Sequence, residues 1–230
     1  MLTPHELPRP GATIAWWSGG TTGPTVVLLH GATLDHRAWA PQVDALVDRF
    51  HVVVPDLRAH GASTGRFAFE DAVQDVLALL DELPAAQVVL VGLSLGANIA
   101  QEVVYRAPER VAALVVADAT CNTAVRSPWE APLTVAILAS LLTGGLRSDP
   151  AYRLPVPTLL VHGDRDQLGD IATGTRAWAQ REPLAGYAVI PAAGHASNLD
   201  NPEVFTAVLL AFLDGVTGSP DRDPLLTGAA

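Results

Sequence analysis

The chain has 230 residues, 49% hydrophobic and 17% charged, which fits one globular domain with a large core rather than a disordered polymer. Its formal net charge of −10 argues against a nucleic-acid partner or an anionic membrane surface, because nothing is present to neutralise a run of phosphates. All 14 basic residues are arginine, which removes Schiff-base chemistry, pyridoxal phosphate attachment, a Ser-Lys dyad and a P-loop lysine.

The opening stretch Met1 to Pro10 mixes Glu6 and Arg9 with prolines before any apolar run, so it does not read as a signal peptide. Ala12 to Trp17 reads as an antiparallel strand at one sheet edge. Thr25 to Leu29 reads as a buried strand. His36 to Asp48 reads as a helix, with Trp39, Val43, Leu46 and Val47 at helical spacing. His51 to Val54 is the next strand, followed by turn-rich residues up to Gly65. Phe69 to Leu83 is an amphipathic helix with Val73, Val76, Leu77 and Leu80 on one face. Gln87 to Val91 is a strand, and a helix follows it from Ser94 to Tyr105. Val111 to Val116, Thr158 to Val161 and Tyr187 to Ile190 complete the strands, with a helix from Ala172 to Arg181 between the last two. Asn201 and Pro202 supply an N-cap and a first-turn proline for a final helix.

Near-continuous apolar strands joined by helices predict an α/β fold: one domain, residues 1–230, with a mostly parallel central sheet and helices on both faces. Ala119 to Leu154 interrupts the alternation. Its one apolar patch, Ala131 to Leu142, reads either as a small lid over the carboxyl ends of the strands or as a crossover helix with a long loop. Thr217 to Ala230, rich in Gly, Pro and Asp, reads as a flexible tail. No apolar run reaches membrane-spanning length. The single cysteine, Cys121, excludes an intrachain disulfide and suits a reducing compartment, so a cytoplasmic protein is expected. No Cys/His cluster has zinc-finger spacing, and neither a metal nor a cofactor is expected.

The most informative stretch is Gly92-Leu93-Ser94-Leu95-Gly96, a G-x-S-x-G placed between an apolar strand and a helix. A strand-turn-helix context makes this a nucleophile elbow: the backbone turns sharply at Ser94 and lifts its hydroxyl to the positive end of a helix. A serine hydroxyl needs a base to take its proton. His195, in the loop after the last strand, returns to the sheet edge that carries Ser94; His30, His60 and His162 read as structural hydrogen-bonding residues. The base needs a buried carboxylate to fix its tautomer. Asp166 is favoured in Asp164-Arg165-Asp166. Asp164 reads as a turn or surface acid partnered by Arg165. A tetrahedral intermediate needs preorganised donors, for which the backbone N–H groups of Ala32 and Leu95 are placed.

Together these pieces resemble the α/β-hydrolase superfamily: His30-Gly31 after a strand, Asp56 to Ser63, Gly92 to Gly96, Gly163 to Asp166 and Gly194-His195 all stand in family order. The Asp-Leu-Arg-x-His-Gly turn and Asp75 to Glu82 are similar to small bacterial members, among them 3-oxoadipate enol-lactonases, carboxylesterases and cofactor-free haloperoxidases. The resemblance implies a serine hydrolase that cleaves a small ester or lactone through an acyl-enzyme on Ser94. A non-hydrolytic enzyme of the same fold (a lyase or cofactor-free oxygenase) and a ligand-binding protein with vestigial turnover stand as alternatives. Ala59 departs from the family, which commonly has glycine there, and Asp56 with Arg58 reads as a structural ion pair. Asp118 ends a strand where some relatives keep their acid, so the resemblance makes it the backup to Asp166. The short insertion implies an open site or a second copy of the chain that completes it. Thr33, Leu34, Trp129, Leu133, Ile137 and Leu168 are the expected substrate walls. Arg37 and Arg126 are candidates to receive a substrate carboxylate.

Overall fold

The computed structural model describes residues 2–121 and 153–218. Eight strands form one sheet: β1 Thr3–Arg9, β2 Ala12–Gly20, β3 Thr25–Leu29, β4 His51–Pro55, β5 Val88–Leu93, β6 Val111–Ala117, β7 Thr158–Gly163 and β8 Ala185–Ile190. Their spatial order is β1-β2-β4-β3-β5-β6-β7-β8. The pairs β1–β2 and β2–β4 are antiparallel, and every other pair is parallel. The fold is therefore the mostly parallel α/β sheet expected.

The helices are α1 Ala40–Leu46, α2 Phe69–Glu82, α3 Leu95–Arg106, α4 Ile171–Arg181, the single turn α5 Ser197–Asp200 and α6 Pro202–Thr217. Alternate residues of each central strand serve opposite faces, as a period of two requires. Val27, Leu29, Val88 and Leu90 pack with Val76, Leu80, Ile99 and Val103 of α2 and α3, and with Trp178 of α4. Val26, Leu28, Val89 and Val91 pack with Leu46 of α1 and with Phe205, Leu209 and Leu213 of α6. Both faces are covered, which is why β3, β5 and β6 are apolar at almost every position.

Three local expectations change. The predicted edge strand Ala12 to Trp17 is second from the edge, because Thr3–Arg9 pairs against it and is itself the edge. The predicted helix from His36 begins as a 3-10 turn, His36–Trp39, before α1. Asp56 and Arg58 do not pair with each other. Asp56 accepts from the N–H and Nδ1 of His36 and from the N–H of Ala62. Arg58 instead reaches across to α2, donating to both oxygens of Asp75 at 2.8 and 2.7 Å, and Arg9 donates to the same carboxylate. Two guanidinium groups on one buried carboxylate tie β1 and the β4 loop to α2.

No helix among the described residues is long and apolar enough to cross a membrane. The insertion from Ala119 to Leu154 and the tail from Thr217 lie almost wholly outside the described residues.

Candidate active site

Sheet order assembles the site. Strands β5, β6, β7 and β8 are successive neighbours, so the residues at their carboxyl ends lie side by side: Ser94, Asp118, the Asp166 turn and the His195 loop. On the other side of β5, the end of β3 delivers His30 to Thr33, since Leu29 pairs with Gly92.

Ser94 holds a strained backbone, with φ +50° and ψ −110°, in the region that non-glycine residues avoid at a cost of about 1–3 kcal/mol. The flanking glycines make the turn feasible. A Cβ on Gly92 would lie 2.4 Å from the Ala97 Cα, and one on Gly96 would lie 2.2 Å from the Leu29 carbonyl oxygen. The Ser94 N–H is held by the Ala117 carbonyl at 2.8 Å, which anchors the elbow to β6.

His195 Nε2 lies 2.9 Å from Ser94 Oγ, and its Nδ1 lies 3.0 Å from Asp166 Oδ2. An ionised carboxylate only accepts, so the ring proton belongs on Nδ1 and Nε2 is free to accept from the serine. The Asp166 side chain is fully buried and that of His195 is 30% exposed. The other Asp166 oxygen accepts the Leu168 N–H at 2.9 Å, so both oxygens have partners. Burial works against a charged His195. The hydrogen bond and charge of Asp166, with the charge of Asp118 behind it, overcome that and hold the imidazole pKa above its ordinary 6.5.

The β3 loop approaches closely. A Cβ on Gly31 would be 3.5 Å from the Ser94 Cβ. Leu95 is the first residue of α3, so its N–H has no partner within the helix. Ala32 follows Gly31 directly. The loop is fixed by His30, whose Nδ1 donates to the Gly31 carbonyl at 2.8 Å and whose Nε2 accepts the Leu57 N–H at 2.9 Å. Burial pushes the His30 pKa down to about 4, so the ring is a neutral strut. His162 is built the same way: Nδ1 meets the Gly163 carbonyl, and Nε2 meets the Tyr187 hydroxyl at 2.7 Å.

The remaining predicted residues divide. Thr33 is exposed, and Leu34 packs partly into the core beneath the loop. Leu168 is 40% exposed beside Asp166. Trp129, Leu133, Ile137 and Arg126 lie outside the described residues. Arg37 is chelated by Asp35. Asp164 accepts the Ala193 N–H at 3.2 Å, with Arg165 4.0 Å away. Asp118 makes no hydrogen bond to His195; its carboxylate serves Gly163 and Ser197 instead. One group of possible metal ligands occurs among the described residues, Asp35, His36 and Asp56. Its atoms are already engaged with one another and with Arg37 and Ala62.

Residues 24–140, just over half of the chain, match the model of the alpha/beta hydrolase fold family. The chain belongs to the α/β-hydrolase family. It is 31% identical over 170 residues to a pimeloyl-[acyl-carrier protein] methyl ester esterase of Nitrosomonas europaea, a match covering 74% of this chain and 65% of that protein. It is 28% identical over 116 residues to 3-oxoadipate enol-lactonase 2 of Acinetobacter baylyi, covering 49% of this chain and 43% of the lactonase. The chain thus spans less than two thirds of the length of either relative. Among solved structures, a thermophilic esterase from Thermogutta terrifontis superposes with a TM-score of 0.74 at 25% identity, over 94% of this chain and 99% of that one. The family assignment agrees with the order of motifs along the sequence.

Proposed function

We propose that the protein is a serine hydrolase that cleaves a small ester or lactone through an acyl-enzyme on Ser94. One observation carries this reading: Ser94 Oγ and Asp166 Oδ2 sit on opposite nitrogens of one imidazole, at 2.9 and 3.0 Å. In the first step Ser94 Oγ attacks the carbonyl carbon while His195 Nε2 takes its proton, and the carbonyl oxygen becomes an oxyanion. Asp166 stabilises the resulting imidazolium without taking its proton. The N–H groups of Ala32 and Leu95 receive the oxyanion. Each such donor is worth on the order of 10²–10³ in rate. The intermediate collapses, the alkoxide leaves with the proton from His195, and the acyl group stays on Ser94. Water then attacks the acyl carbon with His195 as base, and collapse releases the acid and restores the serine.

A lactone follows the same course, except that the leaving alkoxide remains attached to the acyl chain. Thr33, directly after the Ala32 donor, and Leu168, beside Asp166, face the substrate in this reading, while Leu34 packs against the core. The esterase and lactonase names of the relatives support the substrate class, and the net charge of −10 favours neutral substrates. One buried cysteine suits a reducing cytoplasm.

The test is a panel of esters, lactones and thioesters graded by acyl size, run on the wild type and Ser94→Ala. Turnover of small esters or lactones that disappears in Ser94→Ala supports the proposal. Turnover retained in Ser94→Ala but lost in His195→Ala would point instead to a non-hydrolytic reaction that uses only the base.

A further inference from the structure

The mechanism does not use Asp118, a fully buried carboxylate at the end of β6. It sits at φ +50°, a left-handed conformation that aspartate tolerates better than most residues but still at some cost. That geometry turns its side chain back between two loops. Oδ1 accepts the Gly163 N–H at 3.0 Å, three residues before Asp166. Oδ2 accepts both the Ser197 N–H at 2.9 Å and the Ser197 hydroxyl at 2.6 Å, two residues after His195. One carboxylate therefore clamps the start of the acid's loop to the end of the base's loop. The two loops are in close contact here: a Cβ on Gly163 would meet the Ala193 carbonyl oxygen at 2.2 Å.

We propose that Asp118 is a positioning residue for the Ser94–His195–Asp166 constellation: its carboxylate fixes the His195 loop against the Asp166 loop. Its charge also adds to that of Asp166 in holding the His195 pKa up. Burying a charge without a partner is expensive, and three hydrogen bonds only partly offset it. Burial pushes the Asp118 pKa up to about 6, against the pull of Ser197, Gly163 and the His195 charge. An amide in its place would set a donor against the N–H of Gly163 or Ser197, so only a carboxylate can accept from both loops at once. The other charged groups around the His195 loop point elsewhere. Asp164 and Asp200 hold the N–H groups of Ala193 and Gly194, and Arg165 is 71% exposed.

The kinetic part of this inference rests on Ser94 as nucleophile, whereas the titration part does not. The experiment follows the ring signals of His195 by NMR against pH in the substrate-free protein, assigned with His195→Gln. It also measures kcat per fluorophosphonate-reactive Ser94. In Asp118→Asn the imidazole should titrate at lower pH than in the wild type, because the charge that helps to hold its proton is gone. The acidic limb of kcat/KM should move down with it, and kcat per reactive site should fall about tenfold. An unchanged titration and an unchanged kcat per reactive site would overturn the proposal. A residue needed only for folding would lower the number of reactive sites and leave both readouts alone. If Asp118→Asn does not fold, Ser197→Ala removes one arm of the clamp and leaves the carboxylate. It should lower kcat per reactive site with KM unchanged, and an unchanged kcat would overturn the proposal. Absence of fluorophosphonate labelling would sink the nucleophile reading, and the His195 titration would still decide the role of Asp118.

Discussion

His195 Nε2 stands 2.9 Å from Ser94 Oγ although 101 residues of chain separate them. Four neighbouring strands, β5 to β8, and the order in which they pair bring about that approach. If the contact is the proton-transfer step, Ser94→Ala, His195→Gln and Asp166→Asn should each lower kcat by about 10⁴-fold or more on a cleavable ester. The losses should not add when the substitutions are combined, because the three groups act as a unit. Steady-state kinetics of the singles and the triple variant check this.

The second prediction concerns pH. The base must be neutral to accept the Ser94 proton, and Asp166 and Asp118 overcome burial to hold the His195 pKa above 6.5. The acidic limb of kcat/KM should therefore lie above pH 6.5, with activity rising through that limb towards alkaline pH. A limb well below 6.5 would contradict the direction of the shift.

The third concerns His30. Its folded-state pKa is depressed to about 4 from an ordinary 6.5, so the buried ring is neutral in the folded protein. Its contribution is fully present above pH 6.5 and is lost as pH falls towards 4, where the unfolded chain binds the proton first. The size is about 3 kcal/mol. Asp118 acts oppositely, since its raised pKa makes the folded state the better proton binder between about 4 and 6. Urea unfolding across pH 4 to 7 should show a steeper acid-side loss in the wild type than in His30→Gln. Equal slopes would contradict the assignment of His30 as a neutral strut.

The fourth concerns two turns. Ala59 has φ +64°, a conformation that glycine adopts without steric cost. Ala59→Gly should raise stability by up to about 1 kcal/mol, the steric relief exceeding the added chain entropy. Gly92→Ala should do the reverse and prevent soluble expression, because its Cβ would lie 2.4 Å from the Ala97 Cα. Thermal melts and soluble yield report both.

The sequence made some of this legible and hid the rest for physical reasons. The parallel strands were readable because burial on both faces demands unbroken apolar runs such as Val26 to Leu29. Ser94, Asp166 and His195 were readable because each sits in a turn signature at a strand end. The edge strand Thr3–Arg9 was not, since Pro4 and Pro8 break the strand pattern and only one of its residues, Leu7, is buried. The partner of Arg58 is not Asp56, the acid two residues away that local spacing suggests. The guanidinium instead crosses 17 residues to Asp75, because Asp56 is already filled by His36 and Ala62. Asp118 was readable only as a possible acid. Its links to Gly163 and Ser197 span 45 and 79 residues and depend on β6, β7 and β8 lying side by side, which no local pattern encodes.

The central claim is that Ser94 carries the acyl group. The most direct measurement is rapid-quench mass spectrometry after mixing with an activated acyl ester, followed by peptide mapping. The account predicts a transient acyl adduct on the peptide holding Gly92 to Gly96, localised to Ser94, which builds up faster than steady-state turnover and is absent in Ser94→Ala. Turnover at the wild-type rate with no adduct on that peptide would contradict it.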